Sequence, residues 1–158
     1  VTAFIEKNLN SSIPKDYEFN KDDNNILDVY KKNYKSLINY VDGQDINNYV
    51  NFIQEQLFSA NKYFNDQEPW KKKEDIKRLG TILYVSLELI RKISILLYPI
   101  IPSTSLKVLK TFNINEKDIS IKDIQNHEIL KKNTNINKIS VLFKKIEKND
   151  WFTLPFRS

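Results

Sequence analysis

The stretch "DIKRLGTILYVSLELIRKISILLYPIIP", residues 75–102, decides the fold of this chain. Its apolar residues recur at spacings of three, four and seven, the periodicity of an α-helix. The members of this series are Ile76, Leu79, Leu83, Leu87, Ile90 and Leu97. The pattern predicts a helix from about Asp75 to Tyr98, ended by "YPIIP" because proline cannot continue a helix. Since the segment is apolar on several sides, we expect this helix to be central.

The sequence on both sides of this stretch shows the same periodicity. Before it, the pattern predicts one helix over residues 26–41 and another over residues 45–65. After it, a proline followed by serine and threonine opens a shorter helix over residues 102–112. Helices of this size bury their apolar faces mainly on one another. The predicted fold class is therefore all-α, a helical bundle.

The two ends of the chain give weaker patterns. Residues 1–9, "VTAFIEKNL", have helical spacing but no preceding cap, and they are interpreted as the tail of a first helix that is truncated at its start. A short helix is predicted near residues 123–131. Residues 136–158 are predicted to pack on the bundle, with "KISVLFKKIEK" either a strand or an ordered tail. A length of 158 residues suits one domain, predicted to span residues 1–158.

The composition excludes several classes of chemistry. The chain has no cysteine, so it can form neither a disulfide framework nor a thiolate metal site. It has only Gly43 and Gly80, which excludes the glycine-rich motifs that bind dinucleotides or phosphates. His127 is the only histidine and lacks the companions of a zinc site, so it is interpreted as a surface residue of a short helix. We predict no catalytic residues, no metal and no cofactor in this chain.

The charge and the apolar content indicate the partner and the compartment. A formal net charge of +5 favours an anionic partner. No apolar run approaches the roughly 20 residues of a membrane span, and the N-terminus is unlike a signal peptide. We therefore expect a cytoplasmic protein with no membrane partner.

The turn "NDQEPWKKKED", residues 65–75, places Trp70 beside three consecutive lysines. A tryptophan held by a preceding proline, with one face free, is a platform on which an unstacked base can stack, while lysines hold the phosphates of the same loop. The alternative is that Trp70 is a core residue that caps the end of the bundle, and that Lys71, Lys72 and Lys73 form a solvated first turn. The residues by themselves leave both interpretations open.

Residues 60–105 resemble a segment of bacterial methionyl-tRNA synthetases. In that family a helix ends in Asn-x-Tyr and a turn then presents Pro-Trp, which correspond here to "ANKYF" and "EPW". A long apolar helix follows, here residues 75–98. A Pro-x-x-Pro turn with serines or threonines closes the segment, here "PIIPSTS". The later "VLFKKIE" is similar to the family's Leu-Phe-x-x-Ile-Glu. The resemblance implies the anticodon-binding domain of a class I synthetase, a helical bundle that reads the CAU anticodon of methionine tRNA.

The resemblance also implies site residues and partners. Trp70 would stack on an anticodon base, Asn61 matches the family's Asn-x-Tyr, and Lys71, Lys72 and Lys73 would contact the loop. The family often has a lysine one turn after the tryptophan, where this chain has Glu74. The implied partners are the anticodon loop of tRNA(Met) and a catalytic domain of the same polypeptide.

Several motifs of the family are absent from these 158 residues. The family's Asn-Leu-x-x-Arg motif falls before Val1, and the signatures His-Ile-Gly-His and Lys-Met-Ser-Lys-Ser are missing. The resemblance therefore implies that ATP and methionine bind a catalytic domain not included here, and that this fragment alone has no catalytic activity.

Two alternatives remain at this point. The chain could be the helical anticodon domain of another class I synthetase, for cysteine, leucine, isoleucine or valine. It could also be a non-catalytic helical interaction module whose basic face binds acidic proteins, because a positive charge would serve that purpose equally.

Overall fold

The computed structural model describes residues 12–137 and Leu142, and four α-helices run through them. The helices are α1 (Lys21–Asp42), α2 (Ile46–Gln67), α3 (Ile76–Leu97) and α4 (Pro102–Thr111). Short 3-10 helices occupy Pro69–Lys71, Glu116–Asp118 and Ile121–Gln125. Among the described residues there is no strand, only an isolated bridge between Ser12 and Asn135. The predicted all-α bundle is confirmed.

Side-chain caps set where the long helices begin. The Asn20 side chain accepts from the backbone N–H of Asp23, and the Asp23 carboxylate accepts from the backbone N–H of Asn20, which forms a capping box. For this reason α1 begins before Ile26, where the apolar periodicity placed its start. The side chains of Asp45 and Asp75 cap α2 and α3, each accepting one backbone N–H from the first turn, of Asn48 and Arg78 respectively.

Helix α3 lies at the centre of the bundle, as predicted. Every residue from Leu79 to Leu96 except Ile90 is buried. On one side of α3 an apolar cluster is shared with α1 and α2, and on the other side a second cluster is shared with α4 and the segments around Ile13 and Leu130. The apolar surface on several sides of this helix is thus explained by neighbours on several sides.

The segment before α1 crosses α3 at Gly80. A Cβ atom at Gly80 would lie 2.7 Å from the backbone oxygen of Asp16, closer than such atoms approach. Close by, the Thr81 hydroxyl accepts a hydrogen bond of 3.1 Å from the backbone N–H of Glu18. The missing side chain at Gly80 therefore lets residues 14–18 pack directly on α3.

Three charged residues in the middle of α3 are fully buried: Glu88, Arg91 and Lys92. We call them the mid-helix network. The Nε of Arg91 donates to Oε2 of Glu88 at 2.8 Å. Other N–H groups of the two cations donate to the backbone carbonyls of Asp123, Ile124 and Asn126. Burial, and next the neighbouring Arg91, lowers the pKa of Lys92 to about 7.

The mid-helix network explains why the helix predicted over residues 123–131 is wrong. Only a 3-10 turn, Ile121–Gln125, forms there, because its carbonyls bond to the buried cations and Oε1 of Glu88 accepts the backbone N–H groups of Ile129 and Leu130 at 3.1 and 3.0 Å. These tertiary hydrogen bonds replace the i to i−4 bonds of a helix.

His127 is likewise not a surface residue of a helix. It is partly buried in a bend, with Nε2 2.8 Å from Oδ1 of Asp28 and Nδ1 3.3 Å from Nζ of Lys92. It joins the segment after α4 to α1.

The predictions for the chain ends fall mostly outside the described residues. That holds for the truncated helix of residues 1–9 and for most of residues 136–158; Ile136 is buried and Leu142 packs against the second apolar cluster. The single domain over residues 1–158 stays a prediction. In the described part of the chain, no helix is long and apolar enough to cross a membrane, and no group of His, Asp and Glu could hold a metal ion.

Candidate nucleic-acid interface

The chain reverses direction between α2 and α3 through a compact turn. Helix α2 ends at Gln67, and Glu68 then adopts a left-handed conformation with φ of 46°. Pro69 is buried and opens the 3-10 turn. The backbone N–H groups of Lys71 and Lys72 donate to the carbonyls of Glu68 and Pro69 at 2.9 and 3.1 Å. Local hydrogen bonds and proline thus fix the course of the turn.

Trp70 projects from this turn and is 44% exposed. Its ring centroid lies 6.4 Å from that of Phe64, with an angle of 64° between the planes, an edge-to-face contact. The alternative in which Trp70 is a core residue does not fit this exposure. Phe64 supports the indole, and in the part of the chain that the structure describes much of the indole surface remains available for stacking.

The three lysines that follow Trp70 are all exposed. Nζ of Lys71 lies 2.7 Å from Oε1 of Glu68, an ion pair open to solvent. Within the described residues, Lys72 and Lys73 form no ion pair. Two cations therefore remain for an anionic ligand beside the indole, and a third is partly neutralised.

Asn61 is exposed on α2, three residues before Phe64. Side chains three apart on a helix are neighbours, so Asn61 is adjacent on the helix surface to the residue that supports Trp70. Its side-chain amide forms no hydrogen bond with the part of the chain that the structure describes. The structure thus places all five predicted site residues, Asn61, Trp70, Lys71, Lys72 and Lys73, at or just before the turn, with their side chains accessible.

A buried ionic network lies behind the turn. Asp23 is fully buried, and Arg78 binds it with two hydrogen bonds, from Nη1 to Oδ2 at 2.6 Å and from Nη2 to Oδ1 at 3.0 Å. The Tyr63 hydroxyl donates to Oδ1 of the same carboxylate at 2.6 Å. Burial alone would raise the pKa of Asp23, but the hydrogen bonds from Arg78 and Tyr63 outweigh it and lower that pKa below its usual value.

Gln67 completes this network. Its Oε1 accepts a hydrogen bond of 2.5 Å from Nη2 of Arg78. One guanidinium therefore connects the last residue of α2 with the first turn of α3, on either side of the Trp70 turn. We call Asp23, Tyr63, Gln67 and Arg78 the turn network.

The sequence patterns did not single out the turn network. The spacing Asn-x-x-Asp at residues 20–23 signals a helix cap, but not that the aspartate also binds an arginine 55 residues away. Phe64 falls within the helix predicted over residues 45–65, but its contact with Trp70 depends on the geometry of the turn.

Comparison with known proteins gives a consistent result over nearly the whole chain. A family model described as the anticodon binding domain of methionyl tRNA ligase matches residues 13–154. The methionine–tRNA ligase of Thermotoga maritima is 30% identical over 153 residues, which are 96% of this chain and 24% of that ligase. The methionine–tRNA ligase of Methanobrevibacter smithii is 30% identical over 150 residues, 92% of this chain and 22% of that ligase. This chain thus spans about a quarter of the length of these relatives.

Solved structures show the same fold. The methionyl-tRNA synthetase of Mycobacterium tuberculosis in its free state superimposes with a TM-score of 0.83 at 24% identity, covering 92% of this chain and 30% of that chain. Its complex with methionyl-adenylate gives a TM-score of 0.82 at 25% identity, covering 91% and 29%. These comparisons favour neither another class I synthetase nor a basic interaction module.

Proposed function

We propose that this chain, which belongs to the family of anticodon-binding domains of methionyl-tRNA ligase, binds the anticodon loop of tRNA(Met) and recognises its CAU triplet. The observation that carries this proposal is Trp70, 44% exposed on a turn fixed by Pro69 and followed by Lys72 and Lys73, which form no ion pair with the described residues. The exposed part of the indole is a surface on which an unstacked base can stack, and the two lysines can hold the phosphates of the same loop.

The five site residues have three different roles in this proposal. Trp70 stacks on an unpaired anticodon base, which contributes roughly 1–3 kcal/mol for any base and therefore gives affinity. Lys71, Lys72 and Lys73 contact loop phosphates, which position the RNA without reading its sequence. Asn61 carries both a donor and an acceptor, so its amide can pair with a base edge and contribute to discrimination.

The proposal extends to the larger protein. The relatives are named methionine–tRNA ligases and are about four times as long as this chain. We therefore place the attachment of methionine, with ATP, on a catalytic domain of the same polypeptide, in the cytoplasm. In that arrangement this domain selects the tRNA by its anticodon and holds it while the reaction occurs elsewhere.

Replacement of Trp70 tests the stacking role. Trp70→Ala is expected to weaken binding of a CAU stem-loop about 5- to 150-fold, the equivalent of roughly 1–3 kcal/mol, with little change in the melting temperature. A matched control is Ile46→Ala, which removes an exposed apolar side chain (58%) at the other end of α2, about 30 Å away, and should leave binding unchanged.

The two readouts separate the outcomes of this test. Binding is measured by fluorescence anisotropy of the labelled stem-loop, and stability by thermal unfolding. A Trp70→Ala variant that binds CAU and altered anticodons as the unmodified chain does would refute the assignment of Trp70. A loss of several kcal/mol of folding stability would instead indicate a core residue.

Replacement of the lysines tests their role as phosphate contacts. Changing Lys71, Lys72 and Lys73 to glutamine should weaken binding of CAU and scrambled loops alike. The slope of log affinity against log salt should flatten by about 0.7 per lost single-strand contact. The control removes the same charge from exposed lysines of α1, by changing Lys31, Lys32 and Lys35 to glutamine. An equal loss in both triple variants would mean that only net charge matters.

A further inference from the structure

The bonds within the turn that carries Trp70 hold its backbone rather than its indole. Three backbone hydrogen bonds run from Lys71 to Glu68, from Lys72 to Pro69 and from Asp75 to Lys72, and an exposed ion pair joins Lys71 to Glu68. Among the described residues, the aromatic side chain in contact with the Trp70 ring is Phe64. The direction in which the indole points therefore depends on how the two ends of the turn are held.

The two ends are held by one side chain. Arg78 binds Gln67 at the end of α2 at 2.5 Å and, through the same Nη2 atom, Asp23 at the start of α1 at 3.0 Å. Tyr63, one turn before Gln67, donates to the same carboxylate. Three helix ends thus meet at a fully buried aspartate.

The geometry of this site is restrictive. The carboxylate of Asp23 accepts from the guanidinium, from a phenol and from the backbone N–H of Asn20, the last at 2.9 Å. A planar guanidinium that donates two parallel bonds fixes both distance and orientation, which a lysine at the same place would not. A shift of the turn relative to α1 would break several of these bonds together.

We propose that Asp23, Gln67 and Arg78 are positioning residues for the base platform, and that they set the orientation of Trp70 by fixing both ends of its turn. This inference rests on the proposed function for its effect on RNA. Its effect on the indole itself can be observed without RNA. None of the three residues needs to contact the RNA.

A chain with a single tryptophan provides the test. The sequence has two tryptophans, so Trp151→Phe leaves Trp70 as the only one. In this background Asp23→Asn and Gln67→Ala are compared with Glu88→Gln. The control neutralises an equally buried carboxylate that is also bonded to an arginine of α3, about 15 Å further along the helix.

Two measurements are made on each variant: the decay of Trp70 fluorescence anisotropy, and the affinity for a CAU stem-loop. Asp23→Asn and Gln67→Ala should both increase the local motion of the indole and weaken binding about 3- to 10-fold, a part of what one stacked base contributes. In a Trp70→Ala background the same substitutions should cost little further affinity. Glu88→Gln should lower the melting temperature but change neither readout.

The outcomes are distinguishable. If Asp23→Asn does not fold, Gln67→Ala decides, because Gln67 is only partly buried and its truncation removes one bond. Unchanged indole motion in Gln67→Ala, or equal motion in Glu88→Gln, overturns the inference. If the indole responds as expected but the unmodified chain shows no preference for CAU, the positioning role stands and the proposed function fails.

Discussion

Helix α3 carries two buried ionic networks that bind different kinds of partner. The turn network, at the start of the helix, joins side chains: a carboxylate, a guanidinium, a phenol and an amide from three helices. The mid-helix network, near residue 90, directs most of its bonds to the backbone of residues 123–130. Buried charge orients helix ends in one region and holds an irregular segment against the core in the other.

The two networks also differ in their access to water. In the turn network the Arg78 side chain is 18% exposed, whereas Arg91 and Glu88 are fully buried. If Asp23 is removed, water can therefore hydrate the charge of Arg78. Water cannot reach the charge of Arg91 while the chain is folded. The turn network is suited to a surface site, and the mid-helix network to structural support.

The largest expected effect is the loss of the buried carboxylate in each network. Glu88→Ala should destabilise the chain by about 3–5 kcal/mol, because it leaves Arg91 as an uncompensated buried charge and removes the acceptor of two backbone N–H groups. Asp23→Ala should cost about 2–3 kcal/mol, because water can solvate Arg78. Urea unfolding measures both. If Asp23→Ala lowers the free energy of unfolding at least as much as Glu88→Ala does, the better access of water to Arg78 than to Arg91 is not what separates the two networks.

The next largest difference is expected in how the free energy of unfolding depends on pH in the two networks. Burial lowers the pKa of Lys92 to about 7, so between pH 7 and about 10 the unfolded chain binds a proton that the folded chain does not. Stability should therefore rise with pH in that range.

The pKa of Asp23 is also lowered, by the hydrogen bonds from Arg78 and Tyr63 that outweigh burial. Its stabilisation is present above the unfolded pKa of about 4 and is lost as pH falls through the folded pKa.

The expected slope is at most about 1.4 kcal/mol per pH unit for Lys92, or about 3 kcal/mol between pH 7 and 9. The groups that face this amine are Glu88, Arg91, Asp28, His127 and the ring of Tyr30. Urea unfolding at several pH values measures the slope. Lys92→Met should flatten the rise in unfolding free energy between pH 7 and 9. Asp23→Asn should flatten only the loss of unfolding free energy at acid pH. A slope between pH 7 and 9 that survives Lys92→Met would assign it to another group.

A smaller effect is expected at Gly80, between the two networks. Gly80→Ala places a methyl group 2.7 Å from the Asp16 oxygen, and the cost should be about 1–2 kcal/mol after the gain in helix propensity. Gly43→Ala, at an exposed helix end with φ of −83°, places a methyl group 3.0 Å from the Asn39 backbone oxygen, a milder contact, and should cost less than Gly80→Ala. Thermal unfolding measures both. Equal effects would mean that residues 14–16 can move away from α3 without loss of stability.

The features that the sequence predicted are those encoded within a few residues. Periodicity, caps and prolines placed four helices close to their observed bounds. Pro69 before Trp70 indicated a turn but left open whether the tryptophan is exposed, and its exposure of 44% is a finding of the structure. The helix predicted over residues 123–131 failed because its backbone bonds to side chains more than 30 residues earlier. The pairing of Asp23 with Arg78 was unpredictable for the same reason: each has an evident local role, as a cap residue and as a charge on a helix, and only the packed helices bring the two together.

The distance along the chain between Asp23 and Arg78 has a consequence for the order of folding. A contact that joins residues 55 apart requires a large loop to close, and it forms only after both α1 and α3 have docked. The hairpin of α2 and α3 can assemble earlier through local contacts and already carries Trp70. Within the hairpin alone Arg78 can bond to Gln67 but not to Asp23, so the turn is joined across its ends without being fixed to α1. Full RNA binding should therefore be acquired only when α1 docks.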